Sequence, residues 1–283
     1  MGGASARDVK NRIRSVESTM HITKAMELVA SSKLKKAKER MEHSRAFFTA
    51  LYETLSDIAN LNNDFSSVFV RERPVQKVCF VVVAGDRGLA GGYNSNVFRK
   101  VREQEITTPY CVVPIGKKAL EFYRKNDIEV LTDAYANVSA IDLEQCSALG
   151  KELARAFKGG KFDALYLVYT DFVSMLSQAP QSCQLLPLAV DKEREKQKGF
   201  ILYEPSSTGV FNQIIPEYLS GMVYGAVCES YASELAARRT AMDSATKNAS
   251  EMIDALSLQY NRARQGAITQ EITEIVAGSE GST

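Results

Sequence analysis

The 283-residue sequence has no tryptophan, and its only histidines are His21 and His43. Its five cysteines stand far apart and form no CxxC pair, so we expect reduced, buried thiols and no metal site. The longest uninterrupted apolar run, Val78 to Ala84, is far shorter than the ~20 residues that a membrane-spanning helix needs. Any association with a membrane is therefore expected to go through partners.

The net charge is small, and recognisable catalytic motifs are absent from the sequence. The formal net charge is +1 at pH 7, which argues against wholesale nucleic-acid binding. The sequence contains no serine elbow and no Cys/His pairing, and both histidines lie in the N-terminal helical region. We therefore predict no active site and no cofactor.

Proline is absent after Pro216, and the stretch from Ile214 to Ala277 has the pattern of one long helix. At ~1.5 Å per residue such a helix extends for nearly ~100 Å, too long for a compact domain of this size to bury. A heptad seam, which requires a partner helix, follows the stretch. Its positions are Ile214, Gly221, Tyr224, Cys228, Tyr231, Leu235, Arg238, Met242, Ala245, Ala249, Met252, Leu256, Gln259, Ala263 and Gly266.

The N-terminal region carries a second seam with the same alternation of three and four residues. Its positions are Val9, Ile13, Val16, Met20, Thr23, Glu27, Ala30, Leu34, Ala37, Met41, Ser44, Phe48, Leu51, Leu55 and Ile58. Two seams at opposite ends of one chain predict an antiparallel coiled coil of residues 1–60 and 208–283.

Beside the first seam, Ile22, Met26 and Val29 form another apolar row, followed by a basic run from Lys33 to Arg40. These residues form either ordinary packing and a solvated face, or a surface for an acidic partner.

Residues 74–205 change period and predict a Rossmann-like α/β domain. The apolar run at Lys77–Ala84 is typical of a strand buried on both faces, and strands at 110–115, 128–131 and 164–170 alternate with helices. Further strands, antiparallel in our interpretation, are expected at 173–176 and 181–190.

The first strand leads into a glycine-rich loop, Gly85 to Asn94, which invites comparison with nucleotide-binding enzymes. Its G-x-x-G-x-x-G-G spacing fits neither G-x-G-x-x-G nor G-x-x-x-x-G-K-[ST]. We therefore favour glycines that permit a tight strand-to-helix turn over a phosphate site.

Three blocks resemble the gamma subunit of F-type ATP synthases, in the right order across the chain. They are Ile22–Lys33 (ITKAMELVASSK), Asp86–Asn94 (DRGLAGGYN) and Tyr260–Gly278 (YNRARQGAITQEITEIVAG). One departure is Ser279, where the family pattern has alanine.

The resemblance implies a fold and a function. In that family an antiparallel coiled coil with a Rossmann-like domain at its foot forms a central rotating shaft inside a ring of three alpha and three beta subunits. The foot sits with the epsilon subunit on the membrane ring of c subunits. Ion flow turns the shaft, which couples that flow to ATP synthesis or hydrolysis at the beta subunits. The resemblance thus implies a peripheral, non-catalytic subunit on the cytoplasmic face of a bacterial cell membrane.

The resemblance also assigns roles to matching positions. Arg264 and Gln265, with Thr269 and Glu271 beyond them, match contacts to the alpha/beta ring. Met26 matches an apolar contact to a lever of beta, flanked by Lys24, Glu27 and Lys33, and Arg238 matches a basic position involved in coupling. Tyr203 and Glu204 match the foot that reaches the c ring and epsilon.

Two other classes of protein stay open from the residues. One is a static coiled-coil adaptor or scaffold. The other is an α/β enzyme that binds a nucleotide at the glycine loop and uses the coil to dimerise.

Overall fold

The computed structural model describes residues 6–61, 66–104, 107–138, 141–189, 204 and 206–280. Two long helices, α1 (Ala6–Leu61) and α5 (Ser207–Glu280), begin and end the fold. The elements between them are β1 (Val78–Val83), α2 (Tyr93–Arg102), β2 (Tyr110–Ile115), α3 (Lys117–Lys125), β3 (Glu129–Val130), α4 (Leu143–Lys158), β4 (Ala164–Phe172) and β5 (Gln178–Leu186). The chain divides into two compact units, Met1–Ala30 with Arg239–Thr283, and Ser31–Arg238.

The five strands form one sheet in the order β3-β2-β1-β4-β5. The strands from β3 to β4 are parallel to their neighbours, and β5 is antiparallel to β4. All six residues of β1 are buried, as expected for a central strand covered on both faces. The order β3-β2-β1-β4 is that of a doubly wound Rossmann fold, with β5 as an antiparallel edge strand, and it confirms the predicted fold class.

Alternation along β1 divides the core of this unit into two layers. Cys79, Val81 and Val83 belong to a cluster that contains α4, α5 and the end of α1. Phe80 and Val82 belong to a second cluster with α2 and α3. The end of α1 contributes Leu55 and Ile58, which are almost fully buried, so α1 is part of the core of the α/β unit.

One strand prediction is wrong. Residues 173–176 form the turn between β4 and β5 rather than a strand of their own. The Ser174 N–H donates to the Ser177 carbonyl (2.9 Å), and Ser174 Oγ accepts from the Ser177 N–H (3.1 Å). A serine that bonds to nearby backbone in this way favours a turn over a ladder. The antiparallel strand predicted after it is confirmed as β5, while Val190 lies outside the described residues.

The predicted seam of α1 is confirmed. Every seam position whose side chain is described is buried or half-buried, and Phe48 lies outside the described side chains. Within the larger unit, Arg40 contacts Tyr224 and Tyr52 contacts Tyr218, so a later residue of α1 meets an earlier residue of α5. The two helices are therefore antiparallel. No helix in the described chain is both long and apolar enough to span a bilayer.

The seam predicted for α5 is confirmed at every position from Ile214 to Ala249, and beyond it Leu256 is buried and Ala263 half-buried. The prediction is wrong at Met252, Gln259 and Gly266, which are exposed, while Ile253 and Tyr260 beside the first two are half-buried. A straight α-helix drifts by ~20° per heptad against a 3.5-residue repeat, so part of the buried stripe moves to the next position.

Candidate functional site: the two long helices and the glycine loop

The glycine loop makes a tight turn between β1 and α2. Asn94 bridges it, since Oδ1 accepts from the Gly85 N–H (2.8 Å) and Nδ2 donates to the Arg87 carbonyl (3.2 Å). The loop lies at the carboxyl end of β1, next to β4, where the strand order changes direction. Doubly wound folds bind nucleotides in the crevice at this point.

In this protein, side chains of α5 occupy that position. The Tyr93 hydroxyl donates to the Ser230 carbonyl (3.0 Å), and Ser230 Oγ accepts from the N–H of Thr170 in β4 (3.1 Å). A Cβ added to Gly85 would lie 2.8 Å from the carboxyl carbon of Glu234. A phosphate at this loop would therefore meet a helix and a carboxyl group, which agrees with the tight-turn interpretation.

Glu234 and Arg238 form an ion pair of 2.6 Å, one turn apart on α5, with side chains only 6% and 13% exposed. Arg238 Nη2 also donates to the Gly88 carbonyl (3.2 Å), which ties α5 to the loop. Burial raises the pKa of Glu234, and the nearby Arg238 opposes that shift. Arg238 is among the residues predicted from the sequence and Glu234 is not, although their i,i+4 spacing on a helix was a signal for the pair.

In the smaller unit, three of the predicted residues lie together on α1. Lys24 Nζ lies 2.8 Å from Glu27 Oε2, and Met26 is half-buried beside them. Exposed apolar side chains flank this group: Ile22, Leu28 and Val29 are each more than half exposed. The result is an apolar surface with charged residues at its edge.

A polar contact interrupts the seam of this unit. The hydroxyl oxygens of Thr23 on α1 and Thr246 on α5 lie 2.8 Å apart, and Thr23 is only 8% exposed. A polar pair inside an apolar seam fixes the register of two helices. Thr23 is a predicted seam position, whereas its partner Thr246 was not predicted from the sequence.

The last described part of α5 carries four further predicted residues. All residues from 264 to 273 are exposed, including the predicted Arg264, Gln265, Thr269 and Glu271. Ile268 and Ile272 are 46% and 57% exposed, although they are large and apolar. A helix with an apolar stripe and no covered face in the described chain is typical of a segment that binds another protein.

The remaining predicted residues belong to the larger unit. Lys33 is exposed beside a cavity, Glu204 is exposed, and Tyr203 lies outside the described residues. The structure therefore places Lys24, Met26 and Glu27 together on α1 and Arg264 to Glu271 together on α5. No group of His, Cys, Asp and Glu within the described residues is arranged to hold a metal ion.

These features define a class of protein. A Rossmann-like domain lies between two long terminal helices in the sequence, and side chains of the second helix fill the crevice in which related folds bind a nucleotide. A family model described as ATP synthase matches residues 5–281. The chain is 46% identical over 281 residues to the ATP synthase gamma chain of Ruminococcus albus, covering 98% of each protein. It is 40% identical over 300 residues to the sodium-ion-specific ATP synthase gamma chain of Acetobacterium woodii, again covering 98% of each.

A chain from a mitochondrial ATP synthase structure of Euglena gracilis has a similar fold. The TM-score is 0.71 at 19% identity, with 98% of this chain and 94% of that chain covered. The protein described here belongs to the ATP synthase gamma chain family. The resemblance seen in the sequence is confirmed.

Proposed function

We propose that this chain is the rotating shaft of a bacterial ATP synthase and carries out no catalysis itself. It couples ion flow through the membrane c ring to ATP synthesis or hydrolysis at the beta subunits. The observation that carries the proposal is the exposed stretch of α5 from residue 264 to 273, which displays Ile268 and Ile272 with no covering element in the described chain. A helix with exposed apolar residues of this kind is expected to be surrounded by a partner protein.

The uneven surface of the shaft supplies the asymmetry that coupling requires. A shaft that touched three beta subunits identically would shift none of their equilibria, because only differential contacts change a population. In the smaller unit, α1 displays an apolar surface edged by Lys24 and Glu27, whereas α5 displays Arg264 and Gln265 near Ile268. Different subunits of the ring therefore meet different chemistry at any moment.

The site roles that we propose are those that the resemblance implies. The residues that contact the alpha/beta ring are Lys24, Met26, Glu27, Lys33, Arg264, Gln265, Thr269 and Glu271. Arg238 acts in coupling through the joint that it forms with Glu234 and Gly88. Glu204, with Tyr203, faces epsilon and the c ring. These partners hold the chain as a peripheral protein on the cytoplasmic face of the membrane.

Reconstitution tests the proposal. The chain is mixed with alpha and beta subunits of a bacterial ATP synthase, and Mg-ATP hydrolysis is measured with and without it. We expect an idle alpha/beta mixture to become an active ATPase, and we expect the chain alone neither to hydrolyse ATP nor to bind it. Assembly without any gain in hydrolysis would indicate a static adaptor. Nucleotide binding by the isolated chain would support an α/β enzyme, and either result would overturn the proposal.

A further inference from the structure

A cavity of about 410 Å³ lies in the unit Ser31–Arg238, where α1 and α5 approach the segment that precedes α4. Its walls combine three cationic side chains with a tyrosine, a cysteine and small apolar side chains. They are Lys33, Lys36, Arg40, Tyr231, Cys228, Ala37, Val138 and Val227.

The three cations converge on one side of the cavity. Lys33, Lys36 and Arg40 are separated by three and four residues, so they share one face of α1 and repel one another. No carboxylate lines the cavity within the described residues, and the described chain offers neither Lys33 nor Lys36 an ion pair. The positive charge of this wall is therefore available to an external anion.

Arg40 is held in place by contacts that leave part of its guanidinium group facing the cavity. Nε donates to the Tyr224 hydroxyl (2.9 Å), and Nη2 donates to the Ile141 carbonyl (3.4 Å). The guanidinium carbon also lies 4.9 Å from the centre of the Tyr224 ring. A guanidinium fixed in this way is preorganised to bind an anionic oxygen with its remaining N–H groups.

Most of the remaining lining is apolar. Ala37, Val138 and Val227 are buried, and each presents a small hydrocarbon surface. Burial raises the pKa of Tyr231, so its hydroxyl keeps its proton and can donate a hydrogen bond. Sites for small organic molecules typically measure ≈ 300–1,000 Å³ and combine apolar walls with a few polar groups. An inorganic anion alone would leave most of this cavity unfilled.

We propose that this cavity binds a small organic anion. A phosphate or carboxylate group faces Lys33, Lys36 and Arg40, while an apolar or aromatic body packs against Ala37, Val138 and Val227. The proposal adds a ligand site to the proposed shaft role and shares only Lys33 with the residues assigned to that role. Because the walls come from α1, α5 and the segment before α4, a bound anion joins these elements and stabilises the folded state.

The first test is isothermal titration calorimetry on the full-length chain with three probes. The probes are 1-naphthyl phosphate, which carries both halves of the ligand, 1-naphthol, which lacks the charge, and inorganic phosphate, which lacks the body. We expect 1-naphthyl phosphate to bind about tenfold more tightly than either half, because only it uses both walls. Equal affinity for inorganic phosphate would mean ionic attraction alone and would overturn the proposal.

The second test uses a matched pair of variants on the same helix. Lys36→Gln removes a cation that lines the cavity, and Lys35→Gln removes an exposed cation that does not. Lys36→Gln is expected to weaken binding of 1-naphthyl phosphate about tenfold, while Lys35→Gln leaves it unchanged. Circular dichroism confirms that both variants fold.

Equal losses in the two variants would contradict a defined site. A peptide of consecutive Asp and Glu residues tests the competing ligand. Binding of that peptide through Lys36, with none by 1-naphthyl phosphate, would make the cavity a contact for an acidic protein segment, and the proposal would be wrong.

Discussion

The carboxylate of Glu234 accepts a hydrogen bond of 2.6 Å from the guanidinium group of Arg238, one turn further along α5, and both side chains are largely withdrawn from water. Arg238 also donates to the Gly88 carbonyl, so the pair joins α5 to the glycine loop. The loop that resembles a nucleotide site thus attaches α5 to the α/β sheet. The residues that make this attachment all belong to one compact unit, Ser31–Arg238, so the attachment stiffens that unit.

Breaking this pair is expected to destabilise the protein. Glu234→Ala leaves the Arg238 charge buried without its partner, which lowers the free energy of unfolding by about 3 kcal/mol. Urea unfolding of the isolated chain measures the change. Asp243→Ala is the control, because Asp243 and Lys247 form a pair at the same spacing on α5 with side chains 42% and 71% exposed. Exposed pairs contribute little, so the control should unfold like the original protein. Similar losses in both variants would refute a special role for the buried pair.

Glu234 should also make stability depend on pH. Burial raises its pKa above the ordinary value of 4.5, so the folded state binds this proton more tightly than the unfolded state. The contribution of Glu234 to stability therefore falls as pH rises from the unfolded pKa through the folded one. Against Glu234→Gln, which does not titrate, the original protein should lose stability as pH rises above 4.5. Unfolding by urea at a series of pH values measures this difference, and a difference that is constant or grows with pH would show that the Arg238 charge prevails over burial.

Two glycines near the loop should respond very differently to alanine. Gly116 has φ +100°, and a Cβ there would lie 2.1 Å from the Ala84 carbonyl oxygen. Gly116→Ala is therefore expected to cost about 4 kcal/mol of unfolding free energy or to prevent folding. At Gly88 an added Cβ meets nothing within 4 Å, so Gly88→Ala serves as the control. The yield of soluble protein and its thermal midpoint distinguish the two variants, and a Gly116→Ala protein as stable as Gly88→Ala would contradict the backbone geometry.

Much of the fold follows from local pattern. The limits of β2 match the prediction, and β1 lies one residue inside it at each end, since continuous apolar runs beside turn residues mark buried strands clearly. The stretch 173–176 was misjudged because its apolar residues, such as Val173 and Leu176, lie in a turn that Ser174 stabilises through its hydroxyl.

Parts of the candidate site were beyond the reach of sequence reasoning. The contact of Glu234 with Gly85 joins residues that are far apart in the chain, and no local period encodes it. Met252 is exposed and Ile253 half-buried because the mismatch between helix and heptad accumulates with length. By contrast, the exposure of Arg264 and Gln265 could be expected from the sequence, because their long polar side chains stand where a buried seam would have apolar residues.

Residues on the exposed end of α5 should affect coupling more than folding. Arg264→Ala removes an exposed side chain, so the free energy of unfolding should change by less than about 0.5 kcal/mol. In the reconstituted complex we expect ATP hydrolysis to fall several-fold, because the contact with the ring is lost. Arg262→Ala is the control, since Arg262 is equally exposed but lies about 200° around the helix from Arg264.

The charge reversal Glu27→Lys tests the other helix in the same way. It removes the ion pair with Lys24 and places a cation beside the exposed apolar surface of α1. We expect assembled complexes that hydrolyse ATP but synthesise it poorly from an ion gradient. Normal assembly and normal coupling in both Arg264→Ala and Glu27→Lys would remove the roles proposed for these positions.

Rotation of the chain inside the assembled ring tests the central claim most directly. A cysteine at the exposed position 125 (Lys125→Cys, at the end of α3) provides a site for a bead. The native thiols react slowly, because Cys79, Cys111, Cys146 and Cys228 are buried and the pKa of the half-buried Cys183 is raised by burial to about 11. With the alpha/beta ring fixed to a surface and Mg-ATP supplied, the account predicts that the bead turns in one direction, pausing at each third of a turn. A bead that stays still while the same complexes hydrolyse ATP would contradict it.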